Sequence, residues 1–254
     1  MSKITPDFLK QKKFEHKIIT CLTAYDAPIA SLIDAAGIDI VLVGDSVGNA
    51  VLGYENTLPV TLADMTHHLK AVRRAVKTSL LVCDMPLSSF SSEEAAINDA
   101  ISLFKAGAEA VKIEGVSHLR AIKELSNKGI PVMGHLGFTP QSDGSPSVKG
   151  KTGEGFAELI RCAALLENAG VFAIVLELVE RTAAQKLTGS VSVPTIGIGS
   201  GPHCDGQVLV INDVVGLTLG KVPKFAKQYA DIKEVISSAV KKYKEEVENL
   251  KYPL

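Results

Sequence analysis

The chain has 254 residues, of which 46% are hydrophobic and 22% charged, and its net charge is −1. That length allows one large core without division into domains. The near-zero charge provides no global field toward nucleic acid or an anionic membrane, and no apolar run reaches the ~20 residues that span a bilayer.

Residues 1–17 are charged and contain no apolar signal segment, and the four cysteines (Cys21, Cys83, Cys162, Cys204) are scattered without a C-x-x-C pair. Both features predict a cytoplasmic protein with reduced thiols. Trp is absent and aromatics are only 5%, so the core must be built from Val, Ile, Leu and Ala, as in a parallel sheet buried on both faces.

In chain order, the predicted strands are Ile18–Leu22, Ile40–Val43, Leu80–Cys83, Ala110–Ile113, Val132–Gly134, Ala173–Leu176, Thr195–Ile198 and Val208–Ile211. Their apolar runs are continuous rather than alternating, which indicates strands covered on both sides. Helical patterns separate them, including Leu62–Lys77 entered through Thr61 and Glu93–Lys105 entered through Ser91 or Ser92. Gly37, Gly107, Gly129 and Gly170 stand where a helix end requires positive φ. A last helix at about 231–250 places Ile232, Val235, Ile236, Ala239, Tyr243, Val247 and Leu250 on one face. Eight strand–helix units at this length predict an α/β fold, a (β/α)8 TIM barrel forming a single domain over 1–254, rather than an open doubly wound sheet.

Polar residues recur where the strands end. Asp45 follows the second strand, Asp84 the third, Glu114 the fourth, His135 the fifth and Glu177 the sixth. In a barrel these residues crowd around the C-terminal mouth, where active sites form. Carboxylates ~4 Å apart repel by ~4 kcal/mol at an effective dielectric of 20, so something positive must offset them. A hard divalent cation suits oxygen ligands, and Mg²⁺ takes one or two carboxylates and keeps water or substrate oxygens. Without a thiolate or His-rich set, zinc is disfavoured. Lys112 shares a strand face with Glu114; it either neutralises the acids or grips a bound carboxylate. Tyr25 and Asp26 close the first strand, with Asp26 read as a helix cap, and His67–His68 as packing. The glycine-rich Gly197–Gly206 fits either close backbone approach to a ligand or tight turns.

Several strings carry a family resemblance: "TAYDAP", "LVGDSVGN", "TLPVTLADM", "VKIEG", "GHLGFTPQS", "IGIGSGPHCDGQVLV" and "KVPKFAKQY". Together, from about Ile18 to Tyr229, the chain resembles the ketopantoate hydroxymethyltransferase family. The resemblance implies a cytoplasmic, commonly decameric barrel that transfers a one-carbon unit from 5,10-methylenetetrahydrofolate to 3-methyl-2-oxobutanoate, yielding 2-dehydropantoate for pantothenate and coenzyme A. It implies Asp45 and Asp84 as Mg²⁺ ligands, with Glu114 joining the shell through water. Asp45, Ser46, Asp84 and Lys112 would hold the keto acid, and Glu177 would be the base, with Glu180 its competitor. One departure is a shorter loop after "GHLGFTPQS", which reads "DGSPSVKGKT" where the family carries an aromatic, glycine-rich string; it predicts a smaller lid and weaker folate binding. The rival readings are a Mg²⁺-dependent keto-acid lyase or mutase of the phosphoenolpyruvate mutase/isocitrate lyase type, and a ligand-binding barrel without catalysis.

Overall fold

The computed structural model describes residues 2–253, so the first and last residues of the expected 1–254 unit lie outside it. Eight parallel strands close on themselves in sequence order: β1 (Ile19–Thr23), β2 (Ile40–Val43), β3 (Leu80–Asp84), β4 (Ala110–Glu114), β5 (Val132–Gly137), β6 (Ala173–Glu177), β7 (Thr195–Ile198) and β8 (Gly206–Leu209). The helices are α1 (Pro6–Phe14), α2 (Ala27–Ala35), α3 (Val47–Ala50), α4 (Leu62–Arg73), α5 (Glu93–Ala106), α6 (Leu119–Asn127), α7 (Gly153–Ala169), α8 (Arg181–Ser190), α9 (Ile211–Val215) and α10 (Ile232–Glu248). The closed barrel is therefore the observed fold, and the open sheet is excluded.

Local chemistry accounts for the boundaries. Asp26 caps α2 by accepting from the Ile29 N–H, and Ser92 caps α5 by accepting from the Ala95 N–H. Thr61 and Asp64 form a reciprocal capping box on α4. That helix stops at Arg73 instead of running to Lys77, because Asp34 captures the backbone N–H groups of Lys77, Thr78 and Ser79 and turns the chain toward β3. The four glycines predicted at helix ends all have positive φ, from +76° to +116°. β8 begins at Gly206, two residues before the predicted Val208, and Ile211 belongs to α9. A Cβ on Gly206 would lie 2.6 Å from the Ile19 carbonyl oxygen, so the strand needs a residue that an apolar pattern does not register.

Strand parity produces two cores. Outward residues such as Val41, Val43, Val111, Ile113 and Ile174 pack against the helices. Inward residues, among them Ile40, Leu42, Leu80, Val82, Ala110, Met133, Ala173 and Val175, fill the barrel, and Leu9 of α1 joins them at the floor. The inward rows continue upward through Asp84, Lys112, Glu114, His135 and Glu177, so the filling changes from apolar to ionic within one or two side-chain layers. No helix stands between β7 and β8, and no residue of α10 is buried.

Candidate active site

The ionic layer at the mouth is built by alternation along β3 to β6. Asp84 lies two residues beyond Val82, Lys112 two beyond Ala110, His135 two beyond Met133, and Glu177 two beyond Val175. Asp84, Glu114 and Glu177 are thus the inward-facing last residues of their strands, and His135 lies inside β5 two residues before its end, none of them following its strand, a small correction to the sequence reading.

Lys112 is the hub. Its Nζ stands 3.0 Å from Asp84 Oδ1 and 3.9 Å from Glu114 Oε1. Burial works against its charge, but Asp84, Glu114 and Asp45 outweigh it and hold the ammonium well above the usual lysine range. The approach to Asp84 is an ion pair without a well-aligned hydrogen bond, and Asp84 Oδ1 is left as a buried acceptor without one. His135 joins the two sides of the mouth: its Nδ1 lies 3.1 Å from Glu114 Oε1 and its Nε2 3.3 Å from Glu177 Oε2. Burial and Lys112 push the imidazole down, but Glu114 and Glu177 bring it up to about 9. With carboxylates at both nitrogens, the ring is a cation at neutral pH.

On the other side Asp45 and Asp84 confront each other. The Asp45 backbone N–H donates to Asp84 Oδ2 at 3.1 Å. Burial first, then the Asp84 charge, push the Asp45 carboxyl up to about 7. Asp84 is raised as well, mainly by burial, with Lys112 pulling the other way. Glu114 goes down instead: burial would raise it, but the charge and hydrogen bond of His135 and the Lys112 charge prevail. Ser46 lies above Gly44, which follows β2 directly in line with its inward residues Ile40 and Leu42; a Cβ there would stand 2.7 Å from Ser46 Oγ and 3.5 Å from Asp84 Oδ2. Glycine thus keeps a cradle open between Ser46 and Asp84. Ser46 Oγ and Tyr25 OH share a 2.8 Å hydrogen bond.

All six residues singled out from the sequence therefore sit at one mouth: Asp45, Ser46, Asp84, Lys112, Glu114 and Glu177. Glu180 is elsewhere, capping α8 through the Ala183 N–H. His67 and His68 lie in α4, where His68 Nδ1 contacts the Tyr25 carbonyl oxygen at 2.7 Å. The sequence reading gave no role to Gln141, whose side chain reaches Asp45 Oδ2 at 2.9 Å and whose backbone N–H reaches Glu114 Oε2 at 3.1 Å. Its position in "TPQS", in an irregular loop, gave no periodicity from which to find it.

Does the site fit a metal ion? Among the described residues, no three His, Cys, Asp or Glu side chains converge tightly enough to cage an ion unaided. A cation here would take only one or two carboxylates and complete its shell with water or substrate, as Mg²⁺ does. The under-bonded Asp84 oxygen, the close pair of buried carboxyls at Asp45 and Asp84 and the Gly44 cradle all fit such an ion.

Fold and site together define a (β/α)8-barrel enzyme whose acid-lined mouth is tuned by one lysine and one histidine. The family model for ketopantoate hydroxymethyltransferase matches residues 3–254. A 3-methyl-2-oxobutanoate hydroxymethyltransferase of Koribacter versatilis is 49% identical over 258 residues, covering 99% of this chain and 88% of that protein. One from Ignicoccus hospitalis is 49% identical over 259 residues, covering 100% and 98%. The chain belongs to the ketopantoate hydroxymethyltransferase family. Among solved structures, phosphonopyruvate hydrolase aligns with TM-score 0.66 at 13% identity, covering 98% of this chain and 87–88% of the aligned structures when its complex with oxalate and Mg²⁺ is included (TM-score 0.64, 14% identity, 99% of this chain). A 2,3-dimethylmalate lyase aligns with TM-score 0.61 at 15% identity, over 98% and 88% of the two chains. At such identities the likeness establishes the fold alone, and the family match decides for hydroxymethyl transfer over the lyase or mutase reading.

Proposed function

We propose that this chain transfers a hydroxymethyl group from 5,10-methylenetetrahydrofolate to 3-methyl-2-oxobutanoate, giving 2-dehydropantoate for pantothenate and coenzyme A synthesis, with residues 1–254 acting as one catalytic unit. The observation that carries the reading is the convergence of Asp45, Ser46, Asp84, Lys112, Glu114 and Glu177 on one mouth in a chain of this family. A bound Mg²⁺ would be held by Asp45 and Asp84, with Glu114 joining through water, and would supply Lewis-acid stabilisation to charge developing on the keto oxygen.

The chain's own residues do the rest. Lys112 and Ser46 line the cradle for the keto acid, Lys112 offering a fixed positive charge to its carboxylate. Glu177 takes the C3 proton. It is the acid farthest along the ionic layer from the Asp45–Asp84 pair, so its carboxylate stays available for a proton. His135 holds Glu177 Oε2 and tethers Glu114 with the other nitrogen. Water opens the methylene bridge of the folate: both C–N bonds break, the one-carbon unit leaves as formaldehyde, and tetrahydrofolate departs with a proton on each nitrogen. The C3 carbanion adds to the formaldehyde carbon, and the resulting alkoxide takes the proton back from Glu177.

Self-association belongs to this reading, with a homodecamer as the assembly. Along α10, Val235 is 61% exposed, Val240 60% and Tyr243 58%. An apolar helix face without a partner favours packing between copies. Four buried, unpaired cysteines suit the reducing cytoplasm, and no helix of the described residues is long and apolar enough to cross a membrane.

The test isolates the first chemical step. With Mg²⁺ and no folate, the protein should exchange the C3 hydrogen of 3-methyl-2-oxobutanoate in D₂O, read by proton NMR as collapse of the methyl doublet. Glu177→Gln should slow that exchange by at least ~100-fold, since losing a general base costs ~10²–10⁴-fold, with keto-acid affinity within a few-fold. Exchange that survives in Glu177→Gln and disappears in Glu180→Gln would overturn the assignment of Glu177 and make Glu180 the base.

A further inference from the structure

Residues 138–152 form a compact loop between β5 and α7, closed on itself and on β6. The Thr139 N–H donates to Asp143 Oδ2 at 2.9 Å, Lys149 Nζ pairs with Asp143 Oδ1 at 3.0 Å, and the Lys149 N–H donates to the Leu178 carbonyl at 2.8 Å. All of these bonds are on the loop's own side of the barrel. Those that reach toward β2, β3 and β4 come from one residue. Gln141 Nε2 donates to Asp45 Oδ2 and to the Met85 carbonyl, both at 2.9 Å, and the Gln141 N–H donates to Glu114 Oε2 at 3.1 Å. Among the described residues, no other hydrogen bond links this loop to the elements between β2 and β4.

We propose that Gln141 is a positioning residue that fixes the carboxylates of Asp45 and Glu114 and thereby couples cation binding at the mouth to ordering of the 138–152 loop. The inference rests on the metal reading above but concerns a residue that would not touch the ion. The amide binds one oxygen of Asp45, so the carboxylate cannot swing freely and Oδ1 remains unbonded. The main-chain N–H does the same for Glu114. Each carboxylate held in place saves a cation the cost of ordering it, and a cation that neutralises the pair keeps Asp45 seated under the amide. The coupling is reciprocal by linkage: whatever the ordered loop adds to cation affinity, the cation adds to loop order.

The experiment compares wild type, Gln141→Met and Asp84→Asn as full-length proteins stripped of metal. Methionine fills nearly the same volume without a donor, so lost packing is controlled. Two readouts are taken: Mg²⁺ affinity by titration calorimetry, and hydrogen–deuterium exchange of peptides spanning 138–152 with and without Mg²⁺. In wild type, Mg²⁺ should slow loop exchange by at least ~5-fold. In Gln141→Met, Mg²⁺ affinity should fall by about 10-fold, the lower end for an outer-shell partner, and loop exchange should no longer respond to Mg²⁺. Wild-type affinity and wild-type loop protection in Gln141→Met would overturn the role of Gln141, while loss of binding in Asp84→Asn would show the metal site itself intact as a reading. If wild type binds no Mg²⁺, the metal reading fails, and the coupling with it.

Discussion

The barrel holds buried acids at both ends, and the two ends treat them differently. At the floor, charges balance and each acid has well-aligned donors on one oxygen. Lys12 pairs with Asp39 Oδ2 at 2.7 Å, and the same oxygen accepts from the Thr20 N–H and hydroxyl. Lys13 pairs with Asp205 Oδ2 at 2.9 Å, where the Thr195 N–H and hydroxyl also donate. Each lysine rises from α1 to one aspartate, which ties the N-terminal helix across the bottom of β1 and β7. At the mouth, Asp45, Asp84, Glu114 and Glu177 face only Lys112 and His135, and Asp84 Oδ1 and His135 Nε2 lack well-aligned partners. Satisfied ion pairs belong to stability, whereas unbalanced, under-bonded ones belong to a site awaiting a ligand.

The difference can be broken most forcefully at the floor. Asp39→Ala should destabilise the protein by about 3–5 kcal/mol, the cost of leaving one member of a mostly buried ion pair alone, as measured by urea unfolding. Proton exchange on the keto acid, per folded molecule, should be unchanged, because apolar layers of the barrel separate the floor from the mouth. A large loss of exchange with little loss of stability would contradict the division.

A smaller effect is expected at Asp34, also on the floor side. Burial would raise its carboxyl, but hydrogen bonds from the Ser79, Lys77 and Thr78 N–H groups and from the Thr78 hydroxyl hold it well below the usual range. A depressed folded-state value means that its stabilisation is present above the unfolded value near 4 and is lost as pH falls below it. The side chain is only partly buried, so Asp34→Asn should cost about 1–2 kcal/mol at neutral pH. The gap to wild type should close in unfolding experiments toward pH 2–3, and a gap independent of pH would remove the charge from the explanation.

The fold was legible because its determinants are local and periodic. Continuous apolar runs, glycine stops and the caps at Asp26, Thr61 and Ser92 each record the geometry of their own segment. The mouth was legible because acids recur where apolar runs end and because Lys112 shares a strand face with Glu114; that Asp84, Glu114 and Glu177 belong to the strands and extend their inward rows follows from the pairing of the strands. What escaped depends on contacts distant in sequence. Gln141 meets Asp45 across 96 residues, Gly206 is a strand residue only because the Ile19 backbone lies against it, and α4 ends early because Asp34, on another helix, takes its N–H groups. The exposure of the α10 apolar face was equally hidden: the pattern gives an amphipathic helix but not what it packs against.

The sharpest form of the comparison reverses the sign of a single substitution. Removing Asp39 or Asp34 at the floor should destabilise, because each is held by a cation or by several hydrogen-bond donors. Removing one at the mouth should relieve repulsion, because Asp45 is buried beside Asp84 and Glu114 and has no cation of its own within ion-pair distance. Asp45→Asn keeps the volume and the acceptor for Gln141 while deleting the charge. In metal-free protein it should therefore raise the midpoint of thermal unfolding by about 2–4 °C, the shift that 1 kcal/mol produces in a chain of this size. The same substitution should weaken Mg²⁺ binding by at least ~10-fold, so stability and function move in opposite directions, as expected where a site is kept strained for its ligand. A metal-free Asp45→Asn that melts below wild type would mean that Asp45 is a satisfied structural acid, like Asp39, and that the mouth and the floor do not differ as their charges indicate.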